Sequence, residues 1–262
     1  MKIKLIMKRI IILLGVLTSL TAAHIVFGQA AEGVITYEVK INMHRRIPPE
    51  REAMKANIPE FRTFKQQLFF KGTESLYKPL IEDEDEDTGM TGSTGGGGFR
   101  MVMRMPTSET YLDQNSSIVL VKQEFMGTEY LIQDSVKVSP WKFGTETKTI
   151  LGYECKQAFY TDEATPNRPA SEVTAWYTDK IRPFLGPDRY NTLPGAVLAV
   201  DINNGERVTL AKKVDVRAIK KSEFKIPSTG QKVTQAEYRK IVEEQMKKMG
   251  GGGGGNQLII RN

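Results

Sequence analysis

Two histidines and one cysteine set the limits on nucleophilic and metal chemistry in this chain of 262 residues. His24 falls in an apolar N-terminal run, which leaves His44 and Cys155. One histidine cannot build a zinc site, which takes three or four ligands. A Ser-His or Cys-His hydrolase would have to pair His44 with Cys155 or with an unmarked serine, and no G-x-S-x-G elbow is present. The glycine runs lack the Lys-Ser/Thr of a phosphate loop, and no G-x-G-x-x-G follows a predicted strand. A carboxylate pair of the glycosidase type stays open, because its partners need not be close in sequence. Asp179, Asp188 and Asp201 are the acids nearest the patterned strands, and they read as turn and cap residues. The run Glu82–Asp87 lacks the spaced ligands and turn glycine of a calcium loop. It reads as solvated charge. The expectation is therefore a non-enzyme with no cofactor and no metal.

The elements that would carry any site are mainly strands. Ile35, Tyr37, Val39, Ile41 and Met43 alternate with polar residues, as in a half-buried strand. Phe61–Lys71 predicts a second strand and Ser75–Lys78 its hairpin partner, with a short helix over Pro48–Ile58 before them. Ser117–Met126 and Thr128–Gln133 flank Gly127 as a hairpin. Thr149–Tyr160 reads as one strand and Ser171–Thr178 as the next. Ala196–Ile202 and Glu206–Val214 make a hairpin across Asn203-Asn204-Gly205. Only near the C-terminus does the period approach four: Tyr238, Ile241, Val242, Met246 and Met249 form an apolar stripe. Thr234 and Glu237 have capping-box spacing, and Gly250 is placed to end that helix. The stripe is expected to pack on the sheet. Lone Cys155 reads as a small buried hydrophobe, and His44 as a surface residue at a strand end.

Lys2, Lys4, Lys8 and Arg9 precede an apolar run from Ile10 to Leu20 and small residues near Gln29. That order predicts a cleaved signal peptide over 1–28, without a lipidation cysteine. The charge of +6 then falls to +2, since four basic residues and no acidic ones leave with the leader. A near-neutral chain without a basic stripe argues against nucleic-acid binding. No later run is apolar enough to span a membrane. The expected organisation is one β-rich domain over 29–249, interrupted at 82–98 by an acidic and glycine-rich loop. A glycine linker and apolar tail follow over 250–262. The expected location is the periplasm or the exterior.

Several pieces resemble the GLPGLI family of secreted bacterial proteins. Trp141-Lys142-Phe143, Ile150-Leu151-Gly152-Tyr153-Glu154-Cys155 and Thr174-Ala175-Trp176-Tyr177-Thr178 follow one another in the family's order. Leu193-Pro194-Gly195-Ala196-Val197-Leu198 stands at its naming motif, with Thr192 in place of the first glycine. In that motif Pro194 fixes φ and Gly195 is expected to supply positive φ, giving a type II turn that feeds a buried strand. The resemblance brings no catalytic residues with it.

The predicted fold is mainly β: a curved antiparallel sheet or half-barrel with one or two helices packed on it, like lipoprotein carriers by analogy. Such a sheet has a greasy inner face. The expected function is a non-catalytic envelope module for an apolar ligand or an envelope partner protein. The alternatives are an assembly accessory working through protein contacts and, third, a hydrolase with a carboxylate site.

Overall fold

The computed structural model describes residues 32–81, 108–164 and 169–250. The expected leader, the acidic and glycine-rich insertion and the tail beyond Gly250 lie outside the described residues. Twelve strands form one sheet: β1 (Glu32–Asn42), β2 (Phe61–Lys71), β3 (Glu74–Pro79), β4 (Glu109–Asp113), β5 (Ile118–Phe125), β6 (Thr128–Ser135), β7 (Lys142–Ile150), β8 (Tyr153–Asp162), β9 (Ser171–Thr178), β10 (Ala196–Ile202), β11 (Arg207–Asp215) and β12 (Gln231–Thr234). Their order is β12-β6-β5-β4-β3-β2-β1-β11-β10-β9-β8-β7. All neighbours are antiparallel except β12, which runs parallel to β6. Among the described residues there is one α-helix, α1 (Gln235–Gly250), which follows β12 directly. The mainly-β architecture agrees with the alternation in the sequence.

The sheet is strongly curved. In a flat sheet β6 and β9 would lie eight strand spacings apart, roughly 38 Å at 4.8 Å each. Both nevertheless line one cavity. The segment 179–195, between β9 and β10, lies against the concave side and ties it across. Arg182 Nη2 donates to Glu74 O at 2.8 Å, and Gln114 Nε2 donates to Phe184 O at 2.9 Å. Ile181, Leu185 and Leu193 of this segment are fully buried. Two of them, Ile181 and Leu185, share a cluster with Ile35, Tyr37, Leu68, Phe70 and Leu198. The Tyr37 hydroxyl donates to Val197 O at 2.6 Å, which bonds the sheet to the start of β10. On the convex side Val34, Phe69, Leu76 and Tyr111 are covered by Ile219 and Phe224.

Local chemistry explains the helix. Glu237 Oε2 accepts from Thr234 N at 2.7 Å, and Glu237 N donates to Thr234 Oγ1 at 3.2 Å. These two bonds satisfy donors that the first helical turn leaves open. Tyr238, Ile241 and Val242 then pack on Tyr130 and Ile132 of β6. The 48–58 segment is helical as expected, but as 3-10 helix over Pro49–Asn57.

Three strand readings need correction. Thr149–Tyr160 is not one strand: it spans the end of β7, a turn and most of β8, with Ile150 paired to Tyr153. Leu151 and Gly152 both have positive φ, at 53° and 82°. That is the two-residue geometry whose twist matches a hairpin, and a leucine in its first position hides it from composition. β4 and β12, of five and four residues, are too short for alternation to reveal. The third correction concerns Gly195. It is not among the positive-φ residues, so no type II turn needs it there. A Cβ at Gly195 would lie 2.2 Å from Thr178 O and 3.0 Å from Tyr177 Cδ2. Glycine is required because the chain passes close over β9, not for conformational freedom.

Candidate functional site

The residues singled out by motif are structural. Leu193, Ala196, Val197 and Leu198 are fully buried, and Val197 N donates to Leu185 O at 2.8 Å. Pro194 and Gly195 make the bend that brings them there. Gly152 is a turn residue and Tyr153 packs at the edge of the main cluster. Cys155 is fully buried, and burial pushes its thiol up to about 11, so it is a poor nucleophile. His44 is half-buried rather than exposed, with Nε2 2.7 Å from Ile58 O. Trp176 lies beneath the Lys148 ammonium, 4.2 Å from its ring centre. Neither His44 nor Cys155 touches the cavity described next. Asp201 acts as a turn residue, its Oδ1 accepting from Gly205 N at 2.6 Å. Among the described residues no group of three His, Cys, Asp or Glu is placed to hold a metal.

The concave face is open at one end of its strands. A cavity of about 470 Å³ lies there. One flank comes from Val121 of β5 and Ile132 and Asp134 of β6, the other from Tyr160 and Asp162 of β8 and Val173 of β9. Ile202, Glu206 and Arg207 extend the second flank, and residues 188–191 form the floor. The inward side of every strand is set by the two-residue period. Which end stays open is set by the 179–195 segment, which fills the other end.

Nine charged side chains line this cavity, five cationic and four carboxylate. Three pairs are closed: Arg46 Nε to Glu206 at 3.5 Å, Lys137 to Asp134 at 2.6 Å and Arg189 to Asp162 at 2.7 Å. Lys137 bonds the Asp134 carboxylate and holds it below its usual range. An aromatic group backs the same wall. Trp141 meets Tyr160 edge-on at 4.7 Å and Tyr190 at 6.5 Å, and Trp141 Nε1 donates to Thr192 Oγ1 at 3.0 Å. The Arg189 guanidinium lies 5.4 Å from the Tyr190 ring centre. On the rim, Tyr238 is buried against Tyr130; burial first, and Tyr130 second, push its hydroxyl up to about 12.

The greasy part of the concave face is thus largely covered by the protein itself, and the part left open mixes nine charged side chains with apolar ones such as Val121, Ile132, Val173 and Ile202. The site residues came from strands and loops with no motif, so spacing gave no signal for them. Asp188, which the sequence marks only as a turn or cap acid, lines the cavity, and Trp141, singled out by motif, backs its wall. A second depression, about 540 Å³, lies between the ends of β5 and β6 and the start of α1. It has no aromatic wall, and its Glu237 is engaged in the helix cap.

The family described as "N-glycanase peptide, N-terminal domain" matches residues 99–240. The fold is similar to solved structures of PNGF-II in two crystal forms. One is 16% identical, with a TM-score of 0.53 over 83% of this chain and 34% of that chain; the other is 15% identical, with 0.54 over 82% and 33%. The chain therefore spans about a third of the length of the solved chains it resembles. No curated protein matches it. The family match overturns the GLPGLI resemblance. The pieces that carried that resemblance are hairpin turns and buried β-strand strings, and their patterns follow from hairpin geometry and core packing. No helix among the described residues is long and apolar enough to cross a membrane.

Proposed function

The chain belongs to the family of N-glycanase N-terminal domains, and on that premise we propose that it is an exported, non-catalytic module that binds glycans in the cleft at the open end of its sheet. The observation that carries this reading is the composition of the cleft. Carboxylates, guanidinia and amides supply the convergent hydrogen bonds a sugar needs. Tyr160 and Tyr190, held from behind by Trp141, supply apolar surface for the C–H groups of a sugar ring. An apolar ligand is disfavoured, since desolvating nine charged side chains against hydrocarbon is costly. The basic, apolar and small order of the first residues supports export. Three of the four carboxylates in the cleft, Asp134, Asp162 and Glu206, are each tied to a cation, which supports binding without turnover. Titration of the full chain with N-linked glycopeptides, monitored by calorimetry and by mass spectrometry of the glycan, tests both parts. Binding with the glycopeptide recovered intact is the expected result. Release of glycan or of sugar would overturn the non-catalytic reading, and absence of binding the other.

A further inference from the structure

The cleft's charges do not cancel. Arg46, Lys137 and Arg189 are engaged by carboxylates within it. Arg207 and Arg239 line the same cavity, and neither side chain makes a hydrogen bond or ion pair with any described residue. Asp188 is the one remaining lining carboxylate. Arg207 is half-buried on the concave side of β11, opposite Ile41 of β1. Arg239 stands in the second turn of α1, near the positive end of the helix dipole. A cation is unfavourable at that end unless an anion is close; Asp134 is near enough to attract Arg239, but its side-chain hydrogen bond goes to Lys137.

Resting on the glycan reading above, we propose that the cleft selects anionic glycans, with Arg207 and Arg239 reading a carboxylate or sulfate on the sugar. A guanidinium presents a planar fork of donors that matches either group. Three closed ion pairs keep the rest of the wall neutral, so the two open guanidinia meet the ligand's charge rather than each other's partners. Asp188 accepts from sugar hydroxyls.

The test is calorimetric titration of the full chain with three hexasaccharides. The first alternates glucuronate with N-acetylglucosamine, the second is its carboxyl-reduced form, and the third is a sulfated chondroitin hexasaccharide. The expected result is at least about tenfold tighter binding of one charged probe than of the reduced one, with the preference lost in Arg207→Gln and Arg239→Gln. Both charged probes carry glucuronate, so equal binding of the two identifies the carboxylate as the group read and tighter binding of the third shows that sulfate adds to it. Arg239 is exposed, so R239Q removes the charge without disturbing the core even if R207Q does not fold. Equal binding of charged and reduced probes, or a preference unchanged in R239Q and R207Q, would overturn the charge selection and leave the glycan reading standing. No binding of any of the three probes would also overturn the charge selection, while the glycan reading stands or falls on the glycopeptide titration above.

Discussion

The two ends of the concave face obey different rules, although the same sheet builds both. At the filled end, Ile35, Tyr37, Leu68, Phe70 and Leu198 close against Ile181 and Leu185 of the chain's own 179–195 segment. At the open end, β6, β8 and the β10–β11 hairpin of the same sheet carry Asp134, Asp162, Glu206 and Arg207 around a cavity. Burial and close approach govern the first, and hydrogen bonding and charge the second. The contrast teaches that a sheet's inner face need not be a single greasy surface. A fold-back loop can fill an apolar part and leave a more highly charged part open.

The contrast implies that changes at the filled end act on stability and changes at the open end act on binding. The largest effect is expected from Phe70→Ala, which removes a fully buried ring from the filled end and should cost about 3–5 kcal/mol in denaturant unfolding. Gly195→Ala comes next, at about 2–3 kcal/mol, because its Cβ would press into Thr178 O. If Gly195→Ala were neutral, the close-approach account of that corner would be wrong. Tyr37→Phe should cost about 1 kcal/mol, since Val197 O loses its hydroxyl donor.

A pH experiment sharpens the comparison from outside the concave face. Glu223 is drawn down to about 2, first by its hydrogen bond to Arg217 and then by Lys220 N. Its folded value lies below the unfolded one near 4.5. Its contribution is therefore present above that value and lost as the pH falls toward 2. The difference in Tm between the wild type and Glu223→Gln should shrink over that window, while the Phe70→Ala difference should persist through it. The smallest effect on stability is expected from Arg239→Gln at the open end, under about 0.5 kcal/mol. An unfolding penalty comparable to that of Tyr37→Phe would show that the rim is part of the structural core.

Much of this was legible in advance, for physical reasons that differ by element. β2 and β9 coincide with their predicted spans, because the two-residue period of Phe64, Leu68 and Phe70 and of Val173, Ala175 and Tyr177 marks a buried face, although Phe69 is buried on the other side of β2. The cap at Thr234 and Glu237 was readable because its bonds are local. The turn at Leu151-Gly152 was not, since the pairing of Ile150 with Tyr153 imposes it on a leucine. The positive φ expected at Gly195 failed because steric pressure from β9 decides that position, and β9 is distant in sequence.

The sequence by itself determined which residues face inward, where the C-terminal helix begins and that the lone cysteine is buried. Each depends on a period or a contact within a few residues. Only the tertiary structure decided how far the sheet curves, which end of its hollow is sealed and which charges meet at the other. Those depend on contacts such as Arg182 with Glu74 and Tyr37 with Val197, more than a hundred residues apart. No local pattern encodes a distance across the hollow of a curved sheet.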